Sequence, residues 1–229
     1  MMALDGAISR LNVYSVTNSR SKSTMALVWF ILAMVLYPEV QAKVQQEIDA
    51  ITGSNRLPTY ADRSKLPYLE RVLLEVLRWR PAVPLGVPHT CNEENEYRGY
   101  RVPKGAVVAT TREEKIHHKA EEFNPDRFLD PTVPHPLVFG WGLRICPGKH
   151  FFREMFFLEA AQILAVFNLQ KSKDENGQVV EPDTRITVDS GVPYVLAIVI
   201  GSGTSTKYPD NLAVLSNSRS KLAHVQANT

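Results

Sequence analysis

Cys146 has the neighbours most suited to chemistry. It stands in the segment FGWGLRICPG, residues 139–148. A cysteine acts as a nucleophile or metal ligand as the thiolate, which N–H donors, a cation or a metal must hold against reprotonation. Gly142 and Gly148 flank it and let the backbone come close to the sulfur and to a flat ligand. Arg144, two residues earlier, can pair with a carboxylate on that ligand. A helix beginning just after Cys146 would aim its positive end at the sulfur and lower its pKa. The plain alternative is a small buried hydrophobe in a turn. The Gly/Arg/Cys/Gly spacing favours the metal-ligand reading.

Glu75 and Arg78 form a second constellation. Three apart on one helix, they share a face and can pair. Such a pair on a solvated surface contributes only tenths of a kcal/mol, roughly 0.2–1. His89, in LGVPHT, is by itself a solvated loop histidine. Cys91 lies in the polar run TCNEE, which supports neither a ligand nor a nucleophile role.

The bulk numbers narrow the class. The chain has 229 residues, enough to bury a proper core, with 44% hydrophobic and 22% charged residues, as in an ordinary globular chain. A net charge of +2 gives no footing for nucleic acid, which requires clustered cations. Two cysteines make neither a disulfide framework nor a structural zinc site, so free thiols in a reducing compartment are expected.

These residues need elements to position them. Residues 25–37 (MALVWFILAMVLY) are apolar all round, which predicts a buried helix; they fall short of the ~20 residues needed to span a bilayer. Pro38 and Glu39 suit the first turn of a second helix, with Val40, Val44, Ile48 and Ile51 on one stripe and Gly53 past its end. A loop with Pro58 and the Leu66–Pro67 turn leads to a third helix, residues 68–78, stopped by Pro81. Residues 96–102 and 106–110 read as strands around Pro103, Lys104 and Gly105. Residues 112–120 are polar and weakly patterned. A fourth helix is expected over residues 149–167, a turn at 174–177, and a strand pair at 185–188 and 194–200. From Gly201 the composition is that of a loose tail.

Phe139, Gly142, Arg144, Cys146 and Gly148 occupy every fixed place of F-x-x-G-x-R-x-C-x-G, and the chain resembles the cytochrome P450 family on that ground. The segment LEVLRWRP, residues 74–81, resembles the family's E-x-x-R helix, and FNPDRF, residues 123–128, the loop that supplies a further arginine. The resemblance covers roughly residues 25–183 and is similar in flavour to fungal enzymes of secondary metabolism. It implies a mainly α fold with small β-sheets: the C-terminal helices and haem-binding loop of a P450. Residues 1–24 would be a divergent segment, 25–200 the P450 part and 201–229 a disordered tail.

By the same resemblance Cys146 is the axial ligand of a haem b iron. Arg144, His89, Phe139 and Gly148 join it in holding the haem, and Glu75, Arg78 and Arg127 form a structural lock beneath the loop. Val83, Leu85 and Val87 would line the substrate side or pack as core. The implied reaction is insertion of one oxygen atom from O2 into a small lipophilic substrate. Electrons would come from NADPH-cytochrome P450 reductase or a similar donor. Fungal members sit at the endoplasmic reticulum membrane through an N-terminal helix; with no such helix here, the cytoplasm is the other expectation.

Three features depart from the family. The helices expected before Met25 are missing, which suggests a truncated or mis-spliced product. The acid–alcohol pair that serves oxygen is represented only by Ser23 or Thr24, with Lys22 rather than an acid before them. Residues 111–121 and those after Val192 do not match. The alternative is therefore a non-catalytic P450 remnant with little or no haem binding.

Overall fold

The computed structural model describes residues 22–53, 55–84, 86–108, 117–171, 173, 176–182, 197–200 and 212–216. Four helices build the core: α1 (Lys22–Leu36), α2 (Pro38–Thr52), α3 (Pro67–Trp79) and α4 (Lys149–Val166).

From Met25 to Val35 every side chain of α1 is buried, because α3, α4 and the following sheet cover it on several sides. Trp29 meets Trp79 edge to face at 6.4 Å and Phe30 meets Phe156 at 6.1 Å, the preferred geometry of aromatic pairs. Pro38 ends α1 and opens α2 in its first turn, so the chain bends by 106° between the two. Among the described residues no single helix is long and apolar enough to cross a membrane.

α2 is tied to its neighbours by polar side chains. Gln41 is buried; its amide donates to the Leu169 carbonyl at 2.9 Å and accepts the Leu169 N–H at 2.7 Å. The Glu47 carboxylate accepts the N–H groups of Tyr68 and Leu69 at 2.8 and 3.0 Å, a cap for α3 supplied from another helix. Pro67 opens α3 and leaves one orphan donor fewer.

Seven short strands complete the described chain. β1 (His89–Thr90) pairs antiparallel with β4 (Val107–Val108), and β2 (Asn95–Tyr97) with β3 (Tyr100–Val102). β5 (Asn168–Lys171) pairs antiparallel with β7 (Leu212–Ser216), which pairs in parallel with β6 (Ala197–Ile200).

The helices fall within three residues of their expected bounds, and the strands differ more. Residues 96–102, read as one strand, are two arms of a hairpin turning at Arg98 and Gly99, both with positive φ of 54° and 81°. That left-handed pair suits a tight hairpin and was hidden by an arginine in its first place. Pro103, Lys104 and Gly105 form a turn, but its second arm, β4, pairs with His89 and Thr90. His89 therefore lies on a strand. Residues 60–65, expected as loop, form a 3-10 helix opened by a reciprocal Thr59–Asp62 capping box. β7 lies within the stretch expected as a loose tail: five residues, LAVLS, find strand partners although polar sequence surrounds them. Residues 185–188 and most of 112–120 lie outside the described residues, as does Leu85.

Candidate functional site

The cysteine loop is a short fold of its own. The Cys146 N–H donates to the Phe139 carbonyl at 2.8 Å, closing residues 139–146 on themselves. Inside it Ile145 N–H donates to Gly142 O, and Gly142–Arg144 make one 3-10 turn. Gly140 and Gly142 hold φ of 71° and 60°, the left-handed region that a side chain resists. Gly148 has ordinary φ of −80°, so the backbone does not require glycine there. A Cβ at Gly148 would stand 3.8 Å from Cys146 Sγ, an ordinary van der Waals contact, so packing does not require glycine there either, and its absence leaves space beside the sulfur. α4 starts three residues after the cysteine, with Lys149 N–H donating to Cys146 O at 3.2 Å.

Cys146 is exposed, and so are Trp141, Leu143, Ile145 and Phe151 around it; Leu143 is fully so. Exposed large apolar side chains along a loop that carries an exposed thiol are the kind of surface that a ligand or another protein segment covers. Arg144 is exposed and makes no ion pair with an acid among the described residues. An exposed thiol, exposed apolar side chains along its loop and a free cation fit a flat apolar cofactor with a carboxylate edge, which is the chemistry of haem. Among the described residues no group of three or more His, Cys, Asp or Glu side chains could hold a bare metal ion.

A buried charge cluster joins α3 to residues 118–127. Glu75 on α3 is fully buried. Its carboxylate accepts from Arg78 Nε and Nη2 at 2.7 and 2.8 Å, and from Arg127 Nε at 3.0 and 3.1 Å. It also accepts the Asn124 N–H at 2.7 Å. Arg78 donates onward to the carbonyls of Ala120 and Glu122, and Arg127 to those of His118, Lys119 and Glu122. Two guanidinium groups against one carboxylate leave an excess of positive charge, and the carbonyl dipoles answer it. The result clamps residues 118–124 onto α3. The solvated-surface reading of this pair does not hold, since both side chains are buried.

His117 borders this cluster and was missed in the sequence. Its Nδ1 is buried without a hydrogen-bond partner. Burial pushes its pKa below the usual histidine value, and Arg78 and Arg127 push the same way against a weaker opposite pull from Glu75. No sequence pattern marked it.

The remaining sequence candidates are more scattered. His89 is exposed on β1, and no hydrogen bond or ion pair joins it to the cysteine loop among the described residues. Val83 is half-buried and Val87 exposed. Thr24 is half-buried in the first turn of α1, which carries no acid. Cys91 is partly buried, its N–H and carbonyl used by Ala106 and Gly105 in the turn between strands.

Comparison with known proteins places this geometry. The family model described as Cytochrome P450 matches residues 21–191. Cytochrome P450 monooxygenase claR of Ampulloclitocybe clavipes is 47% identical over 179 residues, covering 72% of this chain and 33% of that protein. A cytochrome P450 monooxygenase of Armillaria gallica is 41% identical over 184 residues, covering 75% and 36%. The chain thus spans about a third of the length of these curated relatives. Among solved structures, a zebra fish cytochrome P450 with abiraterone superposes with a TM-score of 0.62 at 33% identity, over 71% of this chain and 39% of that one. A zebra fish cytochrome P450 structure with progesterone gives 0.60 at 34% identity, over 66% and 36%.

Proposed function

This chain belongs to the cytochrome P450 family, and on that premise we propose that it serves a haem-thiolate monooxygenase, with Cys146 as the axial ligand of haem b. The observation that carries the reading is the exposed Cys146, in a loop closed by the 2.8 Å bond to Phe139 and carrying exposed apolar side chains at neighbouring positions. A bound haem supplies electron acceptance and dioxygen activation, chemistry that no side chain offers.

The chain's own residues would hold and tune that group. The backbone around Cys146 fixes where the sulfur points. Gly148 leaves room beside it. Arg144, with no ion-pair partner among the described residues, is a cation on the loop suited to a propionate, and His89 on β1 is a second candidate for that part. Glu75, Arg78 and Arg127 touch neither the sulfur nor the open face in any bond; they act by clamping residues 118–124. Substrates of the whole protein would be small and lipophilic, in fungal secondary metabolism as the relatives' organisms suggest, with electrons from a reductase of the NADPH-cytochrome P450 type.

One observation favours a second reading. The first turn of α1 has Ser23 and Thr24 but no acid, with Lys22 in front of them. A chain that holds haem without delivering protons to dioxygen would be a non-catalytic member. The test is spectroscopic: add haem to the chain, reduce it, and admit carbon monoxide. A red-shifted Soret band that disappears in Cys146→Ser supports thiolate ligation. Its absence from folded protein sinks the haem-thiolate reading. NADPH-driven substrate oxidation with reductase then separates the monooxygenase from the non-catalytic member.

A further inference from the structure

We propose that Phe152 is a positioning residue for the Cys146 sulfur, acting through Phe139. This rests on the reading of Cys146 as a haem ligand. Phe152 is half-buried in the first turns of α4. Its ring lies 5.4 Å from that of Phe139, tilted by 56°, and 5.3 Å from that of Phe156, stacked at 30°. Phe156 in turn meets Phe30 edge to face at 6.1 Å, and these last two rings are among the most buried side chains of the core. Four rings therefore run from the centre of α1 to the cysteine loop. The residue at the outer end is the one whose carbonyl accepts the Cys146 N–H.

The rest of the loop gives this chain of rings its importance. Leu143 is fully exposed, and Trp141 and Ile145 are about half exposed, so these side chains hold the loop less firmly than its inward ones. The bonds Gly140 to Leu137, Ile145 to Gly142 and Lys149 to Cys146 are local and leave the loop free to move as a body. Its inward apolar contacts are Val138 and Phe139, both packed against the core. Phe139 also makes ring contact with Phe152, so a side chain thirteen positions further on, in α4, helps to fix the Phe139 carbonyl. Aromatic contacts of this kind contribute beyond area alone, and an empty volume left by a smaller side chain lets a wall shift.

The test compares the full chain with Phe152→Ala, and with Phe152→Leu as the milder variant should the alanine protein fail to fold. Phe152→Tyr is the conservative control. Two readouts are used. Amide hydrogen exchange at Cys146 reports the bond to Phe139 without any haem; loss of one aromatic contact should speed it about two- to tenfold, while exchange at Val76 in α3 stays as it was. In haem-loaded protein, the reduced carbon monoxide complex should lose part of its thiolate band and decay faster to the form without thiolate. Phe152→Tyr should restore both. Unchanged exchange and an unchanged thiolate band in the ring-less variants overturn the proposal. If the parent chain itself shows no thiolate band, the ligand reading fails, and the exchange arm still decides whether Phe152 holds the loop.

Discussion

Glu75 is one buried carboxylate facing two guanidinium groups and a backbone N–H. Removing its charge while keeping its shape leaves both arginines buried and uncompensated. Glu75→Gln should therefore destabilise the protein by about 3–5 kcal/mol, the usual cost of breaking a buried pair on one side. A urea midpoint with unchanged slope would measure it. Arg78→Lys should be nearly as severe, since a single ammonium cannot reach two carboxylate oxygens and two carbonyls in the fork that Arg78 uses. His117 makes the same cluster sensitive to acid. Its folded pKa lies below the ordinary value of 6.5, chiefly through burial, so the unfolded chain takes up the proton first on acidification. The stability that His117 contributes is complete above pH 6.5 and is lost as the pH falls below it. His117→Asn should flatten this part of the curve relative to the parent, read as the difference between their urea midpoints at pH 7.5 and 5.5. Identical slopes would clear His117 of the role.

Among the elements, α3 carries the Glu75–Arg78 pair, and its start depends on α2. Glu47 accepts the Tyr68 and Leu69 N–H groups, donors that α3 itself cannot satisfy. Glu47→Ala should cost about 0.5–2 kcal/mol, as for loss of a helix cap, and Glu47→Gln less, because an acceptor remains. Thermal unfolding of the three proteins would show that order. The dependence also shows which parts of the fold a reader of the sequence could see. Pro38, Gly53, Pro67 and the stop before Pro81 punctuate the helices locally, so their bounds were legible. The closeness of Glu75, Arg78 and Arg127 was legible because the E-x-x-R pattern and the FNPDRF segment bind residue types to spacing, and the haem-loop pattern singled out Cys146 and Arg144 as candidates. Pairing partners were not: β1 finds β4 across seventeen residues, and the Arg98–Gly99 turn needs an arginine at positive φ. Phe152 and His117 were invisible for a related reason. One reads as an ordinary helix phenylalanine and the other as one polar residue among many, and each gains meaning only from what tertiary contact places beside it.

For the molecule as a whole, the surface around Cys146 sets an expectation about stability. A ligand that binds only the folded state stabilises it by mass action, by about 2.7 kcal/mol at a hundredfold excess over Kd. For a chain of this size each kcal/mol raises Tm by about 2–4 °C, so saturating haem should lift it by roughly 5–10 °C. Two contributions are mixed in that shift: covering Trp141, Leu143, Ile145 and Phe151, and bonding the sulfur. Iron-free protoporphyrin separates them, because it can cover the apolar face but cannot accept the thiolate. It should give a smaller rise, equal in the parent and in Cys146→Ser. Haem should give the larger rise in the parent and only the porphyrin's rise in Cys146→Ser. Arg144→Leu should lower both shifts together, since a propionate partner serves either macrocycle. If haem and porphyrin act alike in the parent, the sulfur is not a ligand, and the exposed face binds flat apolar molecules without iron chemistry.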